Sequence, residues 1–267
     1  MESVVSADGT RIAFERSGSG PSLVLVHGAS ASAKRWGNIR PLLDKHFTVI
    51  AMDRRGRGGS GDIAPGTPYA LEREYEDVEA VVATAGEPVI LFGHSYGGLS
   101  SLGAMRTLNR VSALVIYEAP VPTGPLLPEE LLERLEDAAR RDDRDGIMKM
   151  FCEEVVRMRP SDIATLRASP AWPARLAAAH TIPREMLAVE TFSLAATQAE
   201  RIPVPTLLLH GGDSPDFFKS SMAKLAAAIP HAQTLALEGQ QHVAMDTAPE
   251  TLTAIVRDFW TKVSGAS

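Results

Sequence analysis

A serine, a histidine and a carboxylate set far apart in this 267-residue chain could together carry out nucleophilic acyl transfer. The serine is Ser95, in the run Gly93-His94-Ser95-Tyr96-Gly97. A hydroxyl is a weak nucleophile at neutral pH. It needs a turn that exposes it to a base and to backbone N–H groups able to receive a developing oxyanion. The Gly-x-Ser-x-Gly pattern supplies that turn when it joins a strand to a helix. Here the apolar Val89-Ile90-Leu91-Phe92 precedes it, and a helix-forming stretch at residues 99–108 follows. The bare pattern is common by chance, so its context carries the reading; the plain alternative is a glycine-rich turn with a bystander serine.

Seven histidines compete for the role of base. His94 lies inside the turn and should point away from Ser95. His27 and His210 stand at or just past strand ends, and His46, His180 and His231 fall in loop or insertion segments. His242 differs, because it follows the last strand in Glu238-Gly239-Gln240-Gln241-His242, ahead of a final helix. A loop at the carboxyl end of a strand can place an imidazole over the sheet. The base in turn needs a carboxylate to fix its tautomer. Glu118, after the run 113–117, and Asp213, after the run 206–209, both fit, since both lie at the carboxyl ends of neighbouring strands.

These side chains must be positioned by a sheet. β-rich runs occur at residues 22–26, 48–51, 89–92, 113–117, 206–209 and 234–237, most of them apolar on both faces. Such strands belong to a parallel sheet covered on both sides. Helical stretches such as 71–83, 99–108 and 249–261 supply the covering and the crossovers. Ahead of them, Val4-Val5-Ser6, a turn at Asp8-Gly9 and Arg11-Ile12-Ala13-Phe14 read as an antiparallel hairpin. The alternation breaks once. Pro120, Pro122, Pro125 and Pro128 mark an exit from the sheet, and Pro203 and Pro205 mark the return. Between them the apolar stripes Leu131, Leu135, Ala138, Ala139 and Ile147, Met148, Phe151, Val155, Met158 are helical. The expected organisation is an α/β core of residues 1–119 and 203–267, interrupted by a helical lid at 120–202. The charged run 129–145 should be the wet outer face of that lid.

Composition narrows the classes. The chain is 45% hydrophobic and 22% charged with a net charge of −6, which gives a nucleic acid nothing to bind. Cys152 is the only cysteine, so no intrachain disulfide or cysteine metal cluster can form. No signal-like start and no run of about 18 apolar residues occurs, which leads to the expectation of a cytoplasmic protein without a membrane partner.

Taken together, the chain resembles the α/β-hydrolase superfamily over nearly its whole length. The matching landmarks are His27-Gly28-Ala29, Asp53-Arg54-Arg55-Gly56-Arg57-Gly58-Gly59-Ser60, the turn at Ser95, the helical insertion and the late His242. The resemblance implies a mostly parallel central sheet flanked by helices, with an inserted lid. It also implies Ser95 as nucleophile, His242 as base, and an oxyanion hole built from the backbone N–H groups of Ala29 and Tyr96. In most of the superfamily the acid stands in a G-x-x-D slot, which counted from Gly211 is Ser214 here; Asp213 is one residue early. Some branches, including lactone hydrolases of the zearalenone-degrading type, carry the acid after the preceding strand, as Glu118 does. Glu118 is therefore preferred, with Asp213 as the alternative. Trp36, Met148, Trp172 and His180 are candidate pocket residues. The activity implied is hydrolysis of a small-molecule ester or lactone through an acyl-enzyme, with no metal or organic cofactor. A serine nucleophile removes the alkyl-enzyme chemistry of aspartate-based relatives. A haloperoxidase-like perhydrolase, a carbon–carbon bond hydrolase and a noncatalytic small-molecule receptor are the rivals.

Overall fold

Leu23 and Leu25 face one side of the central sheet and Val24 and Val26 the other, and every one of them is fully buried. This is the period-2 alternation of a strand with both faces covered. In the computed structural model, which describes residues 1–64, 66–193 and 202–265, the sheet has eight strands. They are β1 (Glu2–Val5), β2 (Arg11–Gly18), β3 (Ser22–Val26), β4 (Thr48–Met52), β5 (Val89–His94), β6 (Val111–Tyr117), β7 (Thr206–Gly211) and β8 (Ala232–Leu237). Their order is β1-β2-β4-β3-β5-β6-β7-β8. The β1–β2 and β2–β4 pairs are antiparallel and all others parallel, which makes this the mostly parallel sheet that the resemblance implies.

Helices Leu71–Ala83, Tyr96–Ala104 and Asp216–Ala228 help to cover one face, and Pro249–Ser264 with Trp36 covers the other. Several elements differ in extent from the sequence reading. β2 runs on to Gly18 because it pairs with β4 as well as with β1. The helix expected at 99–108 begins at Tyr96, directly after Ser95, and gives way to turns after Ala104, since the sharp turn leaves no linker. β8 starts two residues early, at Ala232; it is an edge strand whose exposed Gln233 and Thr234 hide it from a search for apolar runs.

Between β6 and β7 the described residues form helices: Glu129–Arg140, Arg144–Met150, Pro160–Ala168, Trp172–Ala178 and Ile182–Thr191. Leu131, Leu135 and Ala138 are buried, as are Ile147, Met148 and Phe151, so each stripe faces the core while the charged residues between them face solvent. Asp143 caps Arg144–Met150 by accepting from the Gly146 N–H at 2.9 Å. That helix then widens into a π turn, Phe151–Val155. The return to the sheet at residues 194–201 lies outside the described residues. No helix among the described residues is long and apolar enough to cross a membrane.

Candidate active site

β5 delivers Ser95 in a conformation L residues rarely adopt, with φ 55° and ψ −127°. Strain of this kind costs about 1–3 kcal/mol and persists only where the surroundings over-determine it. Here they do. The Ser95 N–H donates to Tyr117 O at 2.8 Å, and the Gly98 N–H to Ser95 O at 2.8 Å. The next loop crowds in from β3: a Cβ on Gly28 would lie 2.8 Å from Ser95 Cβ, and one on Gly97 would lie 2.3 Å from Val26 O and 2.5 Å from His27 O. Both glycines are steric requirements of that approach. Gly97→Ala should therefore destabilise the fold by at least about 1–3 kcal/mol, the usual cost of overpacking, read as a lowered midpoint in urea.

His242 Nδ1 lies 2.6 Å from Glu118 Oε2 in a buried contact. Glu118 is wholly buried, sits at φ 49° just past β6, and accepts from the Gly211 N–H through its other oxygen at 2.7 Å. With Nδ1 so engaged, Nε2 is the nitrogen left to exchange a proton. Asp213 is exposed, and its main chain does the local work: its N–H donates to Gln240 O at 3.0 Å and its carbonyl accepts from Gln241 Nε2 at 2.8 Å. Ser214, in the commoner acid slot, is buried. Tyr117 pins the same loop by donating its hydroxyl to Gln241 O.

The His242 ring is gripped from two directions. Phe218 stacks on it at 4.4 Å with the planes 14° apart, and the His94 ring lies 4.5 Å away. His94 Nε2 donates to the His242 carbonyl at 2.9 Å, and burial holds His94 well below its usual pKa, so it is a neutral donor. His27 is neutral for the same reason, reinforced by Arg54. Its Nε2 accepts from the Arg54 N–H at 3.1 Å, which leaves Nδ1–H to donate to Gly28 O at 2.8 Å. His27 thereby clasps the β3 loop to the end of β4. Among the described residues, neither the Ala29 nor the Tyr96 N–H has a hydrogen-bond partner; Tyr96 opens its helix, where a first-turn N–H has none to find.

The Tyr96 side chain points elsewhere. It is buried under the Arg54 guanidinium at 4.3 Å, and its hydroxyl lies 2.8 Å from that of Tyr69, which donates to Glu74 at 2.8 Å. Arg54 grips Glu74 with two bonds of 2.7 and 2.8 Å and reaches Glu185 at 3.0 Å. Arg57 bonds Glu185 as well, and Thr181 at 2.7 Å. Two cations and two carboxylates thus lie together out of water, and one carboxylate, Glu185, comes from the helical insertion.

Ser95 and Ala29 stand where two cavities meet. The larger, about 250 Å³, is mostly apolar, with Leu126, Phe151, Val156, Met186 and Phe217 in its walls. The smaller, about 40 Å³, is lined by His242, Ser30, Arg35 and Arg175 among others. None of the four pocket candidates from the sequence lines either one. Trp36 packs into the core against Phe92 at 5.3 Å, because the short turn after the β3 loop drives it down onto the sheet. Met148 is wholly buried one turn before Phe151, facing the helices. Trp172 lies under the Arg167 guanidinium, and His180 faces outward near Asp62 at 3.8 Å. Leu126, Phe217 and Phe218 line the larger cavity and are not among the sequence candidates. A Pro-Leu-Leu exit from β6 and a Phe-Phe pair at a helix start are apolar residues where a strand-end loop should be polar, and that was the available signal.

A sequence model described as the Alpha/beta hydrolase family matches residues 23–255. The chain belongs to that family. A solved α/β hydrolase from Sphaerobacter thermophilus shares 36% identity with a TM-score of 0.86, covering 97% of this chain and 100% of that one. The esterase RhEst1 from Rhodococcus sp. ECU1013 shares 26% identity with a TM-score of 0.77, covering 100% of this chain and 99% of that one. A non-heme haloperoxidase of Rhodococcus erythropolis is 25% identical over 97% of this α/β hydrolase and 99% of its own length. Other curated relatives match at 37% identity over 114 residues, a stretch that spans only 19% of their length.

Proposed function

We propose that this α/β hydrolase cleaves a carboxylic ester or lactone through an acyl-enzyme formed on Ser95. The observation that carries the reading is the buried Glu118–His242 bond of 2.6 Å, on an imidazole that shares a cavity with the strained Ser95. In the proposed cycle Ser95 Oγ attacks the carbonyl carbon while its proton passes to His242 Nε2. Glu118 stabilises the imidazolium and fixes its tautomer. The oxyanion accepts from the unpartnered Ala29 and Tyr96 N–H groups. Collapse expels the alcohol, which takes the proton from Nε2, and water then repeats the sequence on the acyl-enzyme. The apolar cavity suits the hydrophobic part of the substrate, and the insertion at 120–202 acts as a lid, with Leu126, Phe151 and Met186 in its walls.

The haloperoxidase relative supports a second reading, in which hydrogen peroxide intercepts the same acyl-enzyme and releases a peracid. Stopped-flow with an aryl ester tests the first. A burst of aryl alcohol equal to the enzyme concentration is expected, with a fluorophosphonate forming one adduct on Ser95. An adduct on another serine, or none, would remove the assignment. Peracid yield at matched peroxide and water activity decides between the two readings.

A further inference from the structure

Among the described residues, the buried arginines are matched to carboxylates with one exception. Arg54 and Arg57 share Glu74 and Glu185, Arg55 pairs with Asp77, and Arg35 pairs with Asp246. Arg175, on the helix Trp172–Ala178, is only 8% exposed and has no ion-pair partner among the described residues. Its Nη1 donates to Ser30 O at 3.1 Å and lies 3.2 Å from Ser30 Oγ. Nε is buried with no partner, and Nη2 makes no hydrogen bond among the described residues. The edge without a partner is therefore the Nε–Nη2 edge, whose two parallel N–H groups match the two oxygens of a carboxylate. A buried cation without a bonded carboxylate is costly, since the Ser30 contacts replace only part of its lost hydration. Burial and the neighbouring Arg35 pull its pKa down to about 10, which still leaves it charged at neutral pH.

Arg175 lines the small cavity together with Ser95 and His242. In the same wall Arg35 is paired with Asp246, and His242 is bonded to Glu118. Among the described residues the cavity thus presents one guanidinium with no carboxylate bonded to it, in the wall that also holds the reacting serine. At about 40 Å³ it admits a few atoms only, given that a single water needs roughly 10–15 Å³ by the same kind of measure. We infer that the substrate carries a carboxylate within a few bonds of its scissile carbonyl, and that Arg175 receives it in this cavity while the hydrophobic remainder occupies the larger one. The inference deepens the ester or lactone hydrolase reading and rests on it.

Matched ester pairs test it: an aryl hemisuccinate against an aryl pentanoate for the acyl side, and butyryl glycolate against propyl butyrate for the alcohol side. In the wild-type protein, kcat/KM should favour the carboxylate-bearing member of at least one pair by roughly 10- to 100-fold, the worth of a charged hydrogen bond. In Arg175→Gln that ratio should fall to about one or below, and Arg175→Lys, which keeps the charge without the two-pronged edge, should recover part of it. If Arg175 merely ties the insertion to the Ser30 loop, Arg175→Gln slows both members of a pair alike and leaves the ratio intact, which overturns the inference. A wild-type ratio of one or less in both pairs overturns it too, and does so even if Arg175→Gln fails to fold. Turnover of the neutral esters and fluorophosphonate labelling of Ser95 keep the two readings apart. If both persist without a carboxylate preference, only the role of Arg175 falls; if both are absent, the hydrolase reading falls and takes this one with it.

Discussion

Ser95→Ala should lower turnover of an aryl ester by about 10⁶, the loss seen when a serine nucleophile that works as a unit with its base is removed. The folded state should hardly notice. Alanine occupies the same volume without the hydroxyl and tolerates φ 55° no better than serine, so the strain at residue 95 is unchanged. Ser95→Gly separates the two properties. Glycine relaxes a backbone that serine finds strained, so that variant should be equally inactive yet retain or gain up to about 1 kcal/mol in urea unfolding, net of the extra chain entropy glycine loses. Activity surviving in either variant would show that another group attacks the substrate.

Glu118→Gln should reduce kcat by up to about 10⁴ under saturating ester, the scale of loss when an amide replaces the acid beside a catalytic histidine. Glu118 has two partners, the Gly211 N–H and His242 Nδ1. An amide that keeps its oxygen on Gly211 turns its NH₂ toward the ring, which forces the proton onto Nε2 and leaves no base for Ser95. Asp213→Asn should change kcat by no more than about twofold, because the side chain is exposed and the bonds that hold the histidine loop come from its main chain. The reverse ranking, with folding verified by circular dichroism, would assign the acid to Asp213.

What could be read from the residues follows from how local each property is. The interior strands announce themselves because both faces are buried, so Leu23 to Val26 and Val89 to Phe92 are continuous apolar runs. Ser95 is marked by the glycines its turn requires, and His242 by its place between the last strand and the last helix. The juxtaposition of His242 with Glu118 is only half local. Both candidate carboxylates end neighbouring strands, and the choice depends on which way a side chain leaves a backbone at φ 49°, which no pattern of residue types records. Pocket residues are less legible still. Trp36, Met148, Trp172 and His180 stand out by residue type, whereas lining a cavity is decided by how helices far apart in sequence pack together. Arg175 shows the limit most sharply: its lack of an ion-pair partner among the described residues is a relation to every carboxylate around it in the fold, and nothing in its sequence neighbours reports that.

The buried cluster of Arg54, Arg57, Glu74 and Glu185 bears on how freely the helical segment can be exchanged. Because Glu185 lies in that segment while both arginines follow β4, a replacement segment that covered this place without a carboxylate would leave two guanidiniums enclosed with Glu74 alone. An orphaned buried ion costs about 3–5 kcal/mol, a large share of the stability of an ordinary domain. The segment is therefore not freely interchangeable. A graft from a relative has to bring a carboxylate to the place of Glu185, or Arg54 and Arg57 must be replaced along with it.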